Sequence, residues 1–176
     1  MDGFLLAYKE KGITSNKVVQ QAKKLLSLKK VGHLGTLDPM AEGLLVLAIN
    51  RATRFSSFFL ESDKSYEAEI CFGIKTDTDD AMGRVIEESS LIPKELDVKK
   101  ELNKFLGESL QNPPFFSALK HKGKPLYKYA RDGEFISKPP RRVNIYSIKN
   151  FNYFNNRCSF LIHCSKGTYI RSIARD

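Results

Sequence analysis

From Gly43 to Asn50 the chain reads GLLVLAIN, a continuous apolar run of strand length. It closes a loop punctuated by Gly32, Gly35, the Asp38–Pro39 pair and Gly43. A run without polar alternation has no solvent face, so it predicts a buried strand. It is also far shorter than the ~20 residues that cross a bilayer. Any fold open to this chain must bury that strand and carry the loop 31–43 with it. The 176 residues suffice for one substantial core, or for one core with a small appended lobe.

Periodicity around this run sketches the remaining elements. FLLAYKE (4–10) has strand character, and the turn 12–16 offers Ser15 or Asn16 as an N-cap. In SNKVVQQAKKLLSL, the residues Val18, Val19, Ala22, Leu25 and Leu26 form one helical face. Residues 31–43 read as a loop and 52–62 as a short helix. KSYEAEICFG alternates as a half-buried strand, followed by the polar turn TDTDDAMG and the strand RVIEE. The spacing predicts a helix over 94–107 with Leu96, Val98, Leu102, Phe105 and Leu106 inward, and another in PLYKYARDGE. VNIYSIKNFNYF and RCSFLIHCSKG predict an antiparallel pair turning at Asn155–Asn156, and TYIRSIARD a terminal helix. Strands and helices mix without regular βαβ alternation, which predicts an α+β fold with a mixed, mainly antiparallel sheet flanked by helices.

Charge narrows the partners. Lys and Arg outnumber Asp and Glu by 29 to 20, giving +9, and residues 111–150 hold nine of the cations against Asp132 and Glu134 alone. Such a basic segment suits a phosphate backbone, or is simply a solvated face. Cys71, Cys158 and Cys164 lack paired spacing and read as buried thiols of a reducing compartment, so a cytoplasmic, membrane-free protein is expected. Neither a Walker loop nor GxGxxG occurs, and His33, His121 and His163 lie far apart, so no metal or other cofactor is expected. The acidic turn 77–88 has Ala81 and Met82 where a calcium loop needs an oxygen ligand and a glycine.

Asp38 admits two readings. Asp followed by Pro is a good N-cap and N1 pair, which would start a helical turn through Met40, Ala41 and Glu42. A lone carboxylate in a glycine-rich loop beside an apolar run is also a candidate nucleophile or base.

GHLGTLDPMAEGLL (32–45), KSYEAEICFGIKTDTDDAMG (64–83), PPFFSALKHKGKPLYKYAR (113–131) and HCSKGTYIRSIARD (163–176) together, in this order, resemble the TruB-type tRNA pseudouridine synthase family. The resemblance spans essentially the whole chain. It implies that Asp38 attacks the target uridine and that His33 helps extrude and position the nucleotide. Tyr66 would stack on the flipped base and serve proton transfer, Tyr169 would contact substrate, and Arg171 would pair with the catalytic aspartate. The implied reaction breaks the N1–C1′ bond, turns the base over and rebonds it through C5, at uridine 55 of the tRNA T-arm, without a cofactor. Flipping the base costs a few kcal/mol, which stacking and backbone contacts offset. Lys120, Lys122, Lys124 and Arg131 are expected to include phosphate contacts. The family continues beyond the arginine motif, so residues 1–176 are expected to be a shortened catalytic domain without the C-terminal RNA-binding domain, monomeric and without an obligate protein partner. The rival expectations are a catalytically silent RNA-binding fragment or tRNA-folding helper, and a binding module in which Asp38 is only a cap.

Overall fold

The computed structural model describes all of residues 1–176, which divide into two compact units, Met1–Ser62 and Asp63–Asp176. Every strand pairing in either unit is antiparallel. No helix is long and apolar enough to cross a membrane.

In the first unit, β1 (Gly3–Lys9), β2 (Val31–His33) and β3 (Gly43–Ile49) form a sheet in the order β1-β3-β2. The apolar run is therefore the central strand, with Leu45, Leu47, Ala48 and Ile49 buried. Leu45 and Leu47 pack on Val18, Val19 and Ala22 of α1 (Ser15–Leu25), while Ala48 packs with Leu34 and Ala52. The cap of α1 is Thr14, not Ser15 or Asn16: its hydroxyl accepts from the Lys17 amide at 3.1 Å. The helix also stops earlier than its periodicity suggests. Ser27 takes φ +50°, the Ser27 and Leu28 amides bond back to Lys24 and Lys23, and Leu28 becomes the buried leucine. Leu25 is left 81 % exposed and Leu26 is exposed too, against expectation. A 3-10 turn, Asn50–Phe55, and α2 (Ser56–Leu60) complete this unit.

The second unit is built on a four-stranded sheet, β4-β11-β10-β7, with β4 at Lys64–Cys71, β7 at Gly107–Gln111, β10 at Arg141–Phe154 and β11 at Arg157–Cys164. The expected pair β10–β11 turns at Asn155 and Asn156, both left-handed. Alternate residues Ala68, Ile70, Phe160, Ile162 and Cys164 face Val98 and Leu102 of α3 (Glu95–Lys104) and Ile173 of α5 (Ile170–Arg175). Leu96, 76 % exposed, and Leu106 do not join that core, because α3 ends at Lys104 and turns only a narrow stripe inward. Four features were not expected: β2 inside the supposed loop, the short strand at Ile74–Thr76, β7, and a small hairpin of β8 (Lys120–His121) and β9 (Lys124–Pro125) ahead of α4 (Leu126–Arg131). A further hairpin, β5 (Ile74–Thr76) with β6 (Val85–Glu88), carries the acidic turn.

Candidate active site

The Asp38 loop is tied to the first unit from inside. Lys9 ends β1 on the same inward face as Leu5 and Ala7 and is 0 % exposed. Its Nζ donates to the carbonyls of Ala41 (2.6 Å), Glu10 (3.0 Å) and Pro39 (3.3 Å), which matches its three protons. Burial holds this ammonium below its usual pKa, while the charges of Asp38 and Glu42 pull the other way. Ser15 Oγ meets both the carbonyl and the amide of Leu37 at 3.0 Å, and the Gly12 amide donates to the Pro39 carbonyl at 2.8 Å. The Ala41 amide closes a tight turn onto the Asp38 carbonyl at 3.0 Å.

No helix follows that turn, so Asp38 is not a helix cap. Gly43, at φ +126°, carries the chain straight into β3 instead, in a region of backbone space that suits glycine. At Gly32 and Gly35 an added Cβ meets no atom within 4 Å, so packing does not demand glycine at either position. His33 ends β2 opposite Leu47, with Nδ1 buried and lacking a hydrogen-bond partner.

In the second unit, Tyr66 sits on β4 opposite Ile162 and packs half-buried against the core. Tyr169 precedes α5, and Gln111 at the end of β7 grips its backbone: the Tyr169 amide donates to Oε1 at 2.8 Å, and Nε2 donates to its carbonyl at 3.1 Å. Arg171, 9 % exposed, donates to the carbonyls of Thr78 (2.8 Å) and Phe116 (2.9 Å), and its Nη1 lies 3.8 Å from Asp80 Oδ2. The acidic turn is thereby the seat of the arginine. Asp80 itself is fixed because its Oδ1 accepts from Thr78 Oγ1 (2.8 Å) and from the Met82 amide (2.9 Å). One turn along α5, Arg175 lies 3.5 Å from Asp79; burial raises the Asp79 pKa and Arg175 opposes the rise.

The predicted basic residues differ in how they are used. Lys122 stands exposed at the tip of the β8–β9 hairpin and Lys120 is exposed on β8. Lys124 is paired with Asp132 and lies over the Tyr129 ring. Arg131 ends α4 with its guanidinium 5.3 Å from the Tyr127 ring centre. Within the first unit the structure thus gathers Lys9 around the Asp38 turn. Within the second it gathers Tyr169, Arg171, Asp80 and Gln111. Of these, Lys9, Asp80 and Gln111 were missed in the sequence. Only Lys9 carried a signal, since period two puts it on the face of Leu5 and Ala7.

Residues 23–170 match the TruB family pseudouridylate synthase N-terminal domain. The chain belongs to the TruB family. Among its relatives, the tRNA pseudouridine synthase B of Francisella philomiragia subsp. philomiragia is 46% identical over 179 residues, covering 100% of this chain and 59% of that protein. That of Azoarcus sp. is 47% identical over 176 residues, with the same coverage. The chain therefore spans about three-fifths of the length of these TruB relatives. Among solved structures, a chain of a Cbf5-Nop10-Gar1 complex superposes with a TM-score of 0.71 at 28% identity, over 98% of this chain and 42% of that one. A chain of an H/ACA RNP bound to a substrate RNA containing 2'-deoxyuridine gives 0.67 at 26% identity, over 98% and 40%. These neighbours share the α+β, antiparallel-sheet fold described above.

Proposed function

We propose that this TruB-family chain converts uridine 55 of the tRNA T-arm to pseudouridine, with Asp38 as the nucleophile. The observation that supports this most directly is the loop around Asp38. Lys9, Ser15 and Gly12 hold the backbone on both sides of the residue, yet no helix begins there, so a structural capping role is removed as its reason. Such a loop, with bare backbone at Gly32 and Gly35, leaves room for a nucleotide to approach closely. In this reading the Asp38 carboxylate acts on the ribosyl–uracil bond as N1–C1′ breaks, either by adduct formation at the substrate or by abstracting a proton to start elimination. The uracil then turns over and bonds C1′ through C5 as the carboxylate leaves C1′ or returns the proton it took to the sugar, and C5 gives up its proton while N1 gains one. Tyr66 stacks on the flipped base and takes part in proton transfer, His33 and Tyr169 position the nucleotide, and the Arg171 cation supplies a fixed positive charge. Burial of Arg171 among carbonyls gives that cation a fixed position in its own unit.

The test incubates the chain with an unmodified T-arm stem-loop and quantifies pseudouridine by mass-resolved nucleoside analysis, with Asp38→Asn alongside. Conversion is expected with the native residue and a loss of at least about a thousandfold in Asp38→Asn, with RNA binding intact, since removal of a catalytic nucleophile acts on chemistry and not on binding. Binding without conversion by the unmutated chain would instead establish the silent RNA-binding reading.

A further inference from the structure

The cations of the second unit fall into two groups. Lys124 is paired with Asp132, Arg142 lies 3.6 Å from Glu108, and Lys75, Lys104 and Arg157 each meet a glutamate. Lys120, Lys138 and Arg141 form no ion pair, although all three line one notch of about 230 Å³ together with Leu119 and Pro139. Lys138 Nζ meets only Nδ1 of His121, at 3.4 Å, and a neutral imidazole accepting there leaves its charge uncompensated. Like charges gathered around one concavity repel unless an anion sits among them.

Two of the three cations stand on strands. Lys120 is held in β8 by its ladder partner Pro125, and Arg141 opens β10 opposite Gln111. A Cβ on Gly167 would lie 3.6 Å from the Arg141 guanidinium, so that group rests over bare backbone. Gln111, the ladder partner of Arg141, is also the residue that grips the Tyr169 backbone, so the notch and the loop leading to Arg171 share one support. At about 230 Å³ the space falls below that of a typical small-molecule pocket, about 300 Å³ or more, and suits one group of a longer chain.

We infer that Lys120, Lys138 and Arg141 form a phosphate-binding notch that takes a backbone phosphodiester of the RNA substrate. The Arg141 fork can donate to two phosphate oxygens while the two lysines supply point charges, and Leu119 and Pro139 offer an apolar floor to the adjoining sugar. The RNA source of the phosphate rests on the proposed function; the notch itself does not.

The test uses the full chain with Arg Nε–Hε signals resolved by NMR, the Arg141 signal being assigned by its loss in Arg141→Gln. Inorganic phosphate and the T-arm stem-loop are titrated separately, and stem-loop affinity is measured across salt for Arg141→Gln and Arg142→Gln, which remove the same charge from adjacent residues. Melting temperatures check that both variants fold. Arg141→Gln is expected to weaken binding several-fold and to flatten the log K against log salt slope by about 0.7–1, whereas Arg142→Gln leaves the slope unchanged. Equal slopes for the two variants, with an Arg141 signal that neither ligand moves, would overturn the notch while leaving the proposed isomerase intact. A response to inorganic phosphate without any stem-loop binding would support a phosphate site, assign it to a free phosphate, and count against the proposed function instead.

Discussion

At the scale of single residues, the feature that anchors the Asp38 loop is a lysine. Lys9 is buried because it has three carbonyls to donate to, two of them within the Asp38–Ala41 turn. Lys9→Met keeps the apolar stem but leaves those carbonyls unsatisfied, and is expected to cost about 2–3 kcal/mol in urea unfolding. The same comparison carries a pH signature. Burial lowers the Lys9 pKa from 10.5, so below the lowered value both folded and unfolded chains are protonated and the full desolvation cost is present. Between that value and 10.5 the unfolded chain binds more protons, and stability rises with pH. The stability gap between native chain and Lys9→Met should therefore widen as pH climbs towards 10.5; a narrowing gap would contradict burial as the cause. Of the candidate site residues, Asp38 was legible as exceptional because turn residues crowd around it. Lys9 shows its burial only through strand alternation, a weak signal for a charged side chain.

At the scale of elements, the turn of β5–β6 illustrates what a short polar stretch can hold. TDTDDAMG reads locally as a turn and nothing more. Folded, it hydrogen-bonds to itself through Thr76, Thr78 and Asp80 and offers the Thr78 carbonyl and Asp80 carboxylate to Arg171, 93 residues on in the bond to Thr78. Gly83 is required for it: an added Cβ would lie 2.2 Å from Thr78 Oγ1 and 2.8 Å from Asp77 Oδ1. Gly83→Ala is thus expected to destabilise by about 1–3 kcal/mol, by breaking the turn's internal hydrogen bonds. Gly35→Ala, where the Cβ meets nothing, should change stability by no more than about 0.5 kcal/mol, or raise it slightly by stiffening the unfolded chain. Equal losses at both glycines, measured by chemical unfolding, would show that the turn is not under this constraint. The long elements were legible because α1, β4, β10 and β11 repeat their period over many residues. The strands β2, β5, β7, β8 and β9 were not, since two to five residues carry no period and take strand form from the partner that completes their ladder.

At the scale of the whole molecule, the thiols report on both the packing of the second unit and the expected reduced state. Cys158 and Cys164 are buried in the sheet core, and burial pushes both thiols above their usual pKa, whereas Cys71 at the end of β4 is half-buried. In the folded chain one thiol should react promptly with a chromogenic aromatic disulfide, the other two only in denaturant. Three comparable rates would mean that the core opens readily. The antiparallel, α+β character and the positions of its long strands were determined by the sequence alone, because period-two and period-3.6 patterns are local consequences of which side of an element faces the core. So was TruB family membership, carried by ordered motifs that survive without any coordinates. What only the tertiary structure decided is the set of long-range partners: β4 beside β11 rather than β5, Lys9 under Pro39 and Ala41, Gln111 on Tyr169, and the acidic turn under Arg171. A hydrogen bond between residues 30 to 93 positions apart depends on how the sheets close, and no local propensity encodes which carbonyl a buried cation will meet.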